Sequence, residues 1–455
     1  MFRKTFIPDL LAGLTVSFAA IALGAAFGTM SGRGAFAGMM AAAVIPIITS
    51  IFGGTRLQAS GPTAPMTAVS ALLIAYAYEE FAGDKVLAEQ FITLVFILSA
   101  VIVLLFSILR IGKLIELVPQ VVIFGFMNGI AMLIWVDQIK KLLGWGGSDK
   151  FTGNTLINVA IALVTFAMIF FVPIMLKKYN VRKSIRMFLP GALVGIVVMT
   201  LITSLTGVEI EMVKLGASID TFSGFIEHVT MYFPRVEIFR FNYIIQALPY
   251  ALELSLLAYL DSLLTALVVD KMTGEKSKLN RELFAQGLGN LGAAMVQGIP
   301  GAQATIRSVL LVKEGAQTRL AGVMIGVFAL LGIIVFKDYL TIVTAAVFVG
   351  VLFKAGADVF DFDFSAKYFT KGLIKYKDYN FQFAFVLYTT LITILIDLNV
   401  AVISGTILFY LCKRFFGLKD YEAKSIMLLD SEKMYKVKQG IPINNKRDQR
   451  EEVVK

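Results

Sequence analysis

The sequence predicts an all-α polytopic membrane protein of about fourteen transmembrane segments, and three observations lead there. Hydrophobic residues make up 57% of the 455-residue chain and charged residues only 16%, against roughly 25% charged in a globular domain. The mean hydropathy is +0.78. Apolar runs such as 92–109, 156–176, 189–205 and 320–336 approach the ~20 residues an α-helix needs to cross the hydrocarbon core. The third observation is a pair of Gly/Pro-broken entries, 58–65 and 297–307, each opening an apolar stretch.

In chain order the apolar segments are 10–30, 35–52, 62–78, 91–109, 119–136, 154–176 and 188–205, then, after an amphipathic connection over 206–242, 243–269, 282–297, 301–312, 320–336, 340–353, 380–396 and 398–412. Seven segments on each side of the connection give two repeats, about 8–205 and 243–412, within a transmembrane domain of 1–416. An odd number of spans per repeat forces the second copy to be inverted, and the third span of each half carries the broken entry.

The net charge of +10 is distributed by topology rather than gathered into a nucleic-acid surface. With the N-terminus inside, the inner connections collect twenty-three Lys and Arg before the tail, among them Arg56, Lys177, Lys178, Lys276, Arg281 and Arg319, and the outer ones nine, including Arg33, Lys140 and Lys141. That asymmetry is the positive-inside pattern and places both termini in the cytoplasm, with the chain in the cytoplasmic (inner) membrane. No cleavable signal peptide is read after Met1, because the first apolar stretch is too long and lacks a cleavage-type end. A single cysteine, Cys412, leaves no internal disulfide, and a single histidine, His228, read as lying in an extramembrane loop, leaves no histidine metal site or Ser-His-Asp triad. No nucleotide-binding loop appears, so an enzyme is not expected and no cofactor is implied.

Two interrupted hydrophobic segments at corresponding places in two halves are the best sequence pointer to a carrier's binding site. Helix N-termini carry free N–H groups and partial positive charge, so two facing each other favour an anion. Asp261 lies within the apolar stretch 247–269, where a carboxylate costs at least ~2.5 kcal/mol on insertion scales. A bound cation or a proton would compensate, and so would a structural pairing with Arg307. Thr265 is four residues on and projects from the same helix face, so carboxylate, hydroxyl and nearby carbonyls make a hard-oxygen site suited to Na⁺.

Several motifs together resemble the SulP family of anion transporters: DLLAGLT (9–15), FGGTRLQASGPT (52–63), LVPQVVIFGFMNG (117–129), DSLLT (261–265), NRELFAQG (280–287), GIPGAQAT (298–305) and TRLAG (318–322). The resemblance runs from about 6 to 416 with the motifs in the family's order. It implies a seven-plus-seven inverted repeat with half-helices at spans 3 and 10, and a substrate-binding core domain moving against a gate domain. The Asp261 and Thr265 combination is similar to that of sodium-dependent bicarbonate carriers, where the remaining sodium ligands would match Thr63, Ala304 and Thr305. Arg307 matches a basic residue near the anion site of animal members. Gln303 stands where the family commonly has a small residue, and its amide either donates to an oxyanion or fills space.

Two departures qualify the resemblance. The first span has Ala22-Leu23 where many members have Pro-Gln, and Phe27 where they have Tyr; this weakens transfer of sulfate or chloride specificity, and the leucine is again closer to the bicarbonate carriers. Phe27 reads as an apolar wall beside the anion or as an ordinary packed aromatic. The family's C-terminal STAS domain takes ~100 residues or more, and 417–455 is too short for it. The expectation is therefore a cytoplasmic tail without a complete STAS domain, with a homodimer left open. The function expected is secondary active transport of a small inorganic oxyanion of the bicarbonate or sulfate class, coupled to Na⁺ ahead of H⁺, by an elevator-type movement. The alternatives are a C4-dicarboxylate or nucleobase symporter on the same fold and an uncoupled anion channel.

Overall fold

Each of the fourteen apolar stretches falls on a helix in the computed structural model, which describes residues 2–145, 150–181, 189, 191–213, 222–340, 342–360, 362, 377–396 and 398–416. The expected tail, 417–455, lies outside the described residues. The helices are α1 (Phe2–Ser31), α2 (Ala35–Phe52), α3 (Ala64–Glu80), α4 (Lys85–Ile108), α5 (Gln120–Leu143), α6 (Thr155–Lys178) and α7 (Gly191–Thr206). After the connecting helix α8 (Phe222–Met231) come α9 (Phe241–Thr273), α10 (Leu279–Met295), α11 (Thr305–Lys313), α12 (Leu320–Leu340), α13 (Ala345–Val359), α14 (Lys377–Leu395) and α15 (Leu398–Phe416). His228 sits on α8 rather than in a loop.

Local chemistry sets the ends of these helices. Asp84 and Asn154 cap α4 and α6, their side chains accepting from Leu87 N (3.0 Å) and Leu156 N (2.9 Å), as short polar residues do at an N-cap. Gly274 closes α9 in the left-handed region at φ 74°, where a Cβ would be unfavourable.

Among the described residues six helices are long and apolar enough to cross a membrane by length and composition alone: α1, α2, α4, α5, α6 and α9. Others are shorter. At nine residues, α11 rises only ~14 Å, about half of the ~30 Å hydrocarbon core.

The helices form two packing groups. In one, α1, α2 and α12 pack on each other, and α10 packs on α2 and α4 while α9 packs on α3, α4 and α11. In the other, α5 packs on α13, α14 and α15, and α6 on α7 and α13. Close approach within the first group rests on glycine: a Cβ at Gly38 on α2 would sit 1.9 Å from the Gly24 carbonyl oxygen of α1. The first and last motifs of this group also meet. Buried Asp9 accepts from Gln317 N (2.6 Å), Thr318 N (3.0 Å) and the Thr318 hydroxyl, so a carboxylate of α1 caps the start of α12.

Arg33, counted above among outer-connection residues, is not a solvated loop cation. It is buried, pairs with Glu89 of α4 at 2.8 Å, and also donates to Thr93 (3.0 Å), the Gly298 carbonyl (3.3 Å) and the Gln297 side chain. The Tyr78 hydroxyl donates to the other Glu89 oxygen at 2.5 Å. Desolvating two charges is tolerated only when they are paired and their remaining valences filled, and this cluster does both. It fixes the connection from α10, where Gln297, the first residue of the second broken entry, holds a positive φ of 60°.

Candidate functional site

Both broken entries pass through extended backbone before their helices begin. Ser60–Gly61 (β1) and Ala302–Gln303 (β2) pair antiparallel, Ser60 opposite Gln303 and Gly61 opposite Ala302. Ala304 N donates to the Ala59 carbonyl at 3.1 Å, and Ala59 N to the Ser308 hydroxyl at 3.1 Å. Thr63 and Ala304 are the extended N-cap residues of α3 and α11, and neither supplies a side-chain cap. The chain thus brings two helix N-termini to one crossing. The N–H groups of a helix's first turn have no intrahelical partner.

Helix α9 runs alongside. Its Ser262 hydroxyl accepts from Gln303 N at 3.2 Å, tying α9 to β2. One turn on, the Thr265 hydroxyl lies 2.6 Å from that of Thr305, the first residue of α11. Asp261, 8% exposed, faces the same region: its carboxylate lies beside the Thr63 hydroxyl and within reach of the Arg307 charge. Neither Asp261 Oδ2 nor Thr63 Oγ1 has a hydrogen-bond partner.

Arg307 is 2% exposed and donates from Nη2 to the Pro62 carbonyl at 2.9 Å, while Nε and Nη1 have no partner. It lies against Gly61, whose φ is +145° and where a Cβ would be 2.9 Å from Nη1. Glycine is therefore favoured there by conformation, and a Cβ would displace the guanidinium. Gln303 is fully buried with both amide atoms unpartnered. Phe27 of α1 is buried in the same apolar cluster as Ala64 and Met66 of α3.

The residues singled out from the sequence divide accordingly. Thr63, Asp261, Thr265, Gln303, Ala304, Thr305 and Arg307 all lie at or beside the crossing. Phe27 is buried on α1, which packs against α3. Sequence reasoning missed the polar seam beneath β1: buried Glu282 accepts from Gly54 N (2.8 Å), Thr55 N (2.8 Å), Gln58 Nε2 (3.3 Å) and Gln286 Nε2 (2.9 Å). Gln286 also donates to Ser60 (2.7 Å), and the Asn290 side chain accepts from Gly301 N at 2.8 Å. The signal was present: Glu282, Gln286 and Asn290 recur every fourth residue, on one face of an apolar helix.

A chain of this helical content, with apolar helices long enough to span a bilayer and buried charge where two helix N-termini meet, is a multi-pass membrane protein. Residues 6–372 match the model of the Sulfate permease family, and the chain belongs to that family. Bicarbonate transporter BicA of Picosynechococcus sp. is 32% identical over 414 residues, covering 87% of this chain and 68% of that protein. YvdB of Bacillus subtilis, named as a candidate sulfate transporter, is 29% identical over 411 residues, covering 89% and 73%. The solved transmembrane domain of a cyanobacterial BicA superimposes with a TM-score of 0.72 at 26% identity, over 88% of this chain and 98% of that structure. These relatives are named as transporters rather than enzymes.

Proposed function

We propose that the protein is a secondary active transporter of a small inorganic oxyanion of the bicarbonate or sulfate class, coupled to a cation, with Na⁺ ahead of H⁺. One observation carries the reading: unpartnered buried polar atoms of both signs gather at the β1–β2 crossing. Arg307 Nε and Nη1 and the Gln303 amide offer donors, and Asp261 Oδ2 offers an acceptor, all without protein partners. A buried polar group left unmatched costs roughly 1–3 kcal/mol, so three such residues in one place call for a ligand pair. An oxyanion between the two helix N-termini would meet Arg307, Gln303 and the backbone around Thr63 and Ala304, with Phe27 as an apolar wall beside it. A cation beside it would take the Asp261 carboxylate and the hydroxyls of Thr265, Thr305 and Thr63, the hard oxygens that suit Na⁺.

In this reading α3 and α11 are the half-helices of two inverted seven-span repeats. The packing group of α1–α4 and α9–α12 is the core that carries substrate, and that of α5–α7 and α13–α15 the gate it moves against. Asp261 favours coupling over an uncoupled channel, since an anion pore has little use for a buried carboxylate. Likeness to BicA, named a bicarbonate transporter, supports bicarbonate as the first substrate to test. Arg307 disfavours an uncharged nucleobase. The orientation follows the charge asymmetry, with the N-terminus and the 417–455 tail in the cytoplasm and the chain in the cytoplasmic membrane; a homodimer is compatible with it.

The test is uptake into proteoliposomes of bicarbonate, sulfate, fumarate and uracil with Na⁺ and H⁺ gradients imposed separately. The expected result is bicarbonate or sulfate uptake that rises with an inward Na⁺ gradient. Uptake of uracil or fumarate alone would refute the substrate class, and indifference to Na⁺ would refute the coupling.

A further inference from the structure

Away from the crossing, where the connection between α9 and α10 meets the segment after α2 and the start of α12, the protein holds a cavity of about 230 Å³. Thr55, Arg56, Asp270, Lys276, Ser277 and Arg319 are in its wall. Its two carboxylates are already matched. Asp270 accepts from Ser277 N (2.8 Å) and the Ser277 hydroxyl (2.6 Å), and Glu275 pairs with Arg56 at 2.6 Å.

The cations are not matched to the same extent. Arg319 donates from Nη1 to the Ser50 carbonyl at 3.2 Å and has no carboxylate within ion-pair distance among the described residues. Partial burial, and after it the positive charge of neighbouring Arg281, pull its pKa below the ordinary guanidinium value. Arg281 is itself anchored only to a carbonyl, Phe52 O at 2.8 Å. Arg319 and Lys276 stand in the cavity wall with no ion pair to either among the described residues, so an anion there would meet unmatched positive charge, and the planar guanidinium fork matches oxyanion geometry.

We propose that this cavity is a second anion site, for a phosphate-type oxyanion, distinct from the helix crossing. The chemistry is the same whether the phosphate is free in solution or the headgroup of an anionic lipid. The wall of the cavity also leads to the crossing through hydrogen bonds: Ser277 Oγ to Thr55 Oγ1 (3.0 Å), Thr55 N to Glu282 (2.8 Å), Gln286 to Glu282 (2.9 Å) and Gln286 to Ser60 of β1 (2.7 Å). Occupancy therefore steadies the strand on which one half of the crossing is built. This last consequence rests on the transport reading; binding itself does not.

The test is the thermal stability of the purified full chain, titrated with inorganic phosphate in detergent and, separately, reconstituted in phosphatidylcholine vesicles with and without phosphatidylglycerol. The variants are Arg319→Gln, exposed Lys276→Gln as one that leaves the fold untouched, and Arg307→Gln at the crossing. Phosphate is expected to stabilise the wild type and Arg307→Gln with the same half-saturation, to need about tenfold more in Arg319→Gln (~1.4 kcal/mol), and a smaller increase in Lys276→Gln. Stabilisation by phosphatidylglycerol but not by phosphate, lost in either cavity variant, assigns the headgroup as the source and upholds the site. Equal half-saturation in the wild type and Lys276→Gln, loss of the effect in Arg307→Gln, or no effect from either probe overturns it. If Arg319→Gln does not fold, Lys276→Gln decides.

Discussion

Arg307 is the largest of the side chains that are almost wholly enclosed, and it donates to one backbone carbonyl while two of its nitrogens have no partner. Were it only a counter-ion for Asp261, a direct pair would be expected; instead the carboxylate keeps an unpartnered oxygen. Arg307→Ala should therefore abolish anion uptake while leaving a folded protein, checked by transport beside size-exclusion and thermal melting. Wild-type uptake in that variant would make the arginine structural. The Arg33–Glu89 pair behaves oppositely. Its valences are met by Thr93, Gln297, Gly298 and Tyr78, and breaking a buried pair by removing one partner costs about 3–5 kcal/mol. Glu89→Ala should lower the melting temperature by many degrees. A double Arg33→Met, Glu89→Met variant should recover much of that loss, because it leaves no uncompensated charge.

At the scale of elements, the helices were legible because the apolar runs are long, while an end such as that set by Asp84, well before the apolar run read as 91–109, was not. The broken entries were legible because Gly and Pro within an apolar sequence have few other uses. What could not be read was the partner of each polar residue. Arg33 looked like an outer-loop cation because its partners, Glu89 and Gln297, stand 56 and 264 positions away. The Asp9 and Thr318 motifs were visible separately, and only folding shows one capping the other. Losing a helix cap costs about 0.5–2 kcal/mol; Asp9→Ala should lower stability by that order and loosen the start of α12, seen as faster amide exchange at 317–320. Unchanged exchange there would show that the cap does not hold the helix. Gly61→Ala tests the crossing itself: positive φ and the 2.9 Å approach to Arg307 predict uptake lost at a cost in stability too small to unfold the protein.

For the whole molecule, the separation into two packing groups matters most, because the crossing belongs wholly to one of them. Every residue proposed to hold anion or cation is carried by α3, α9, α11 or the strands between, apart from Phe27 on α1, a member of the same group. The central claim is that cation and anion occupy one crossing, and sites so close are thermodynamically linked, each changing the other's affinity by the same factor. The most direct measurement is equilibrium binding of bicarbonate to the purified protein, with and without Na⁺, in the wild type and in Asp261→Asn. The account predicts that Na⁺ tightens bicarbonate binding at least about fivefold in the wild type, near the lower end of typical coupling, and has no effect in Asp261→Asn. Equal affinity with and without Na⁺ in the wild type would contradict it.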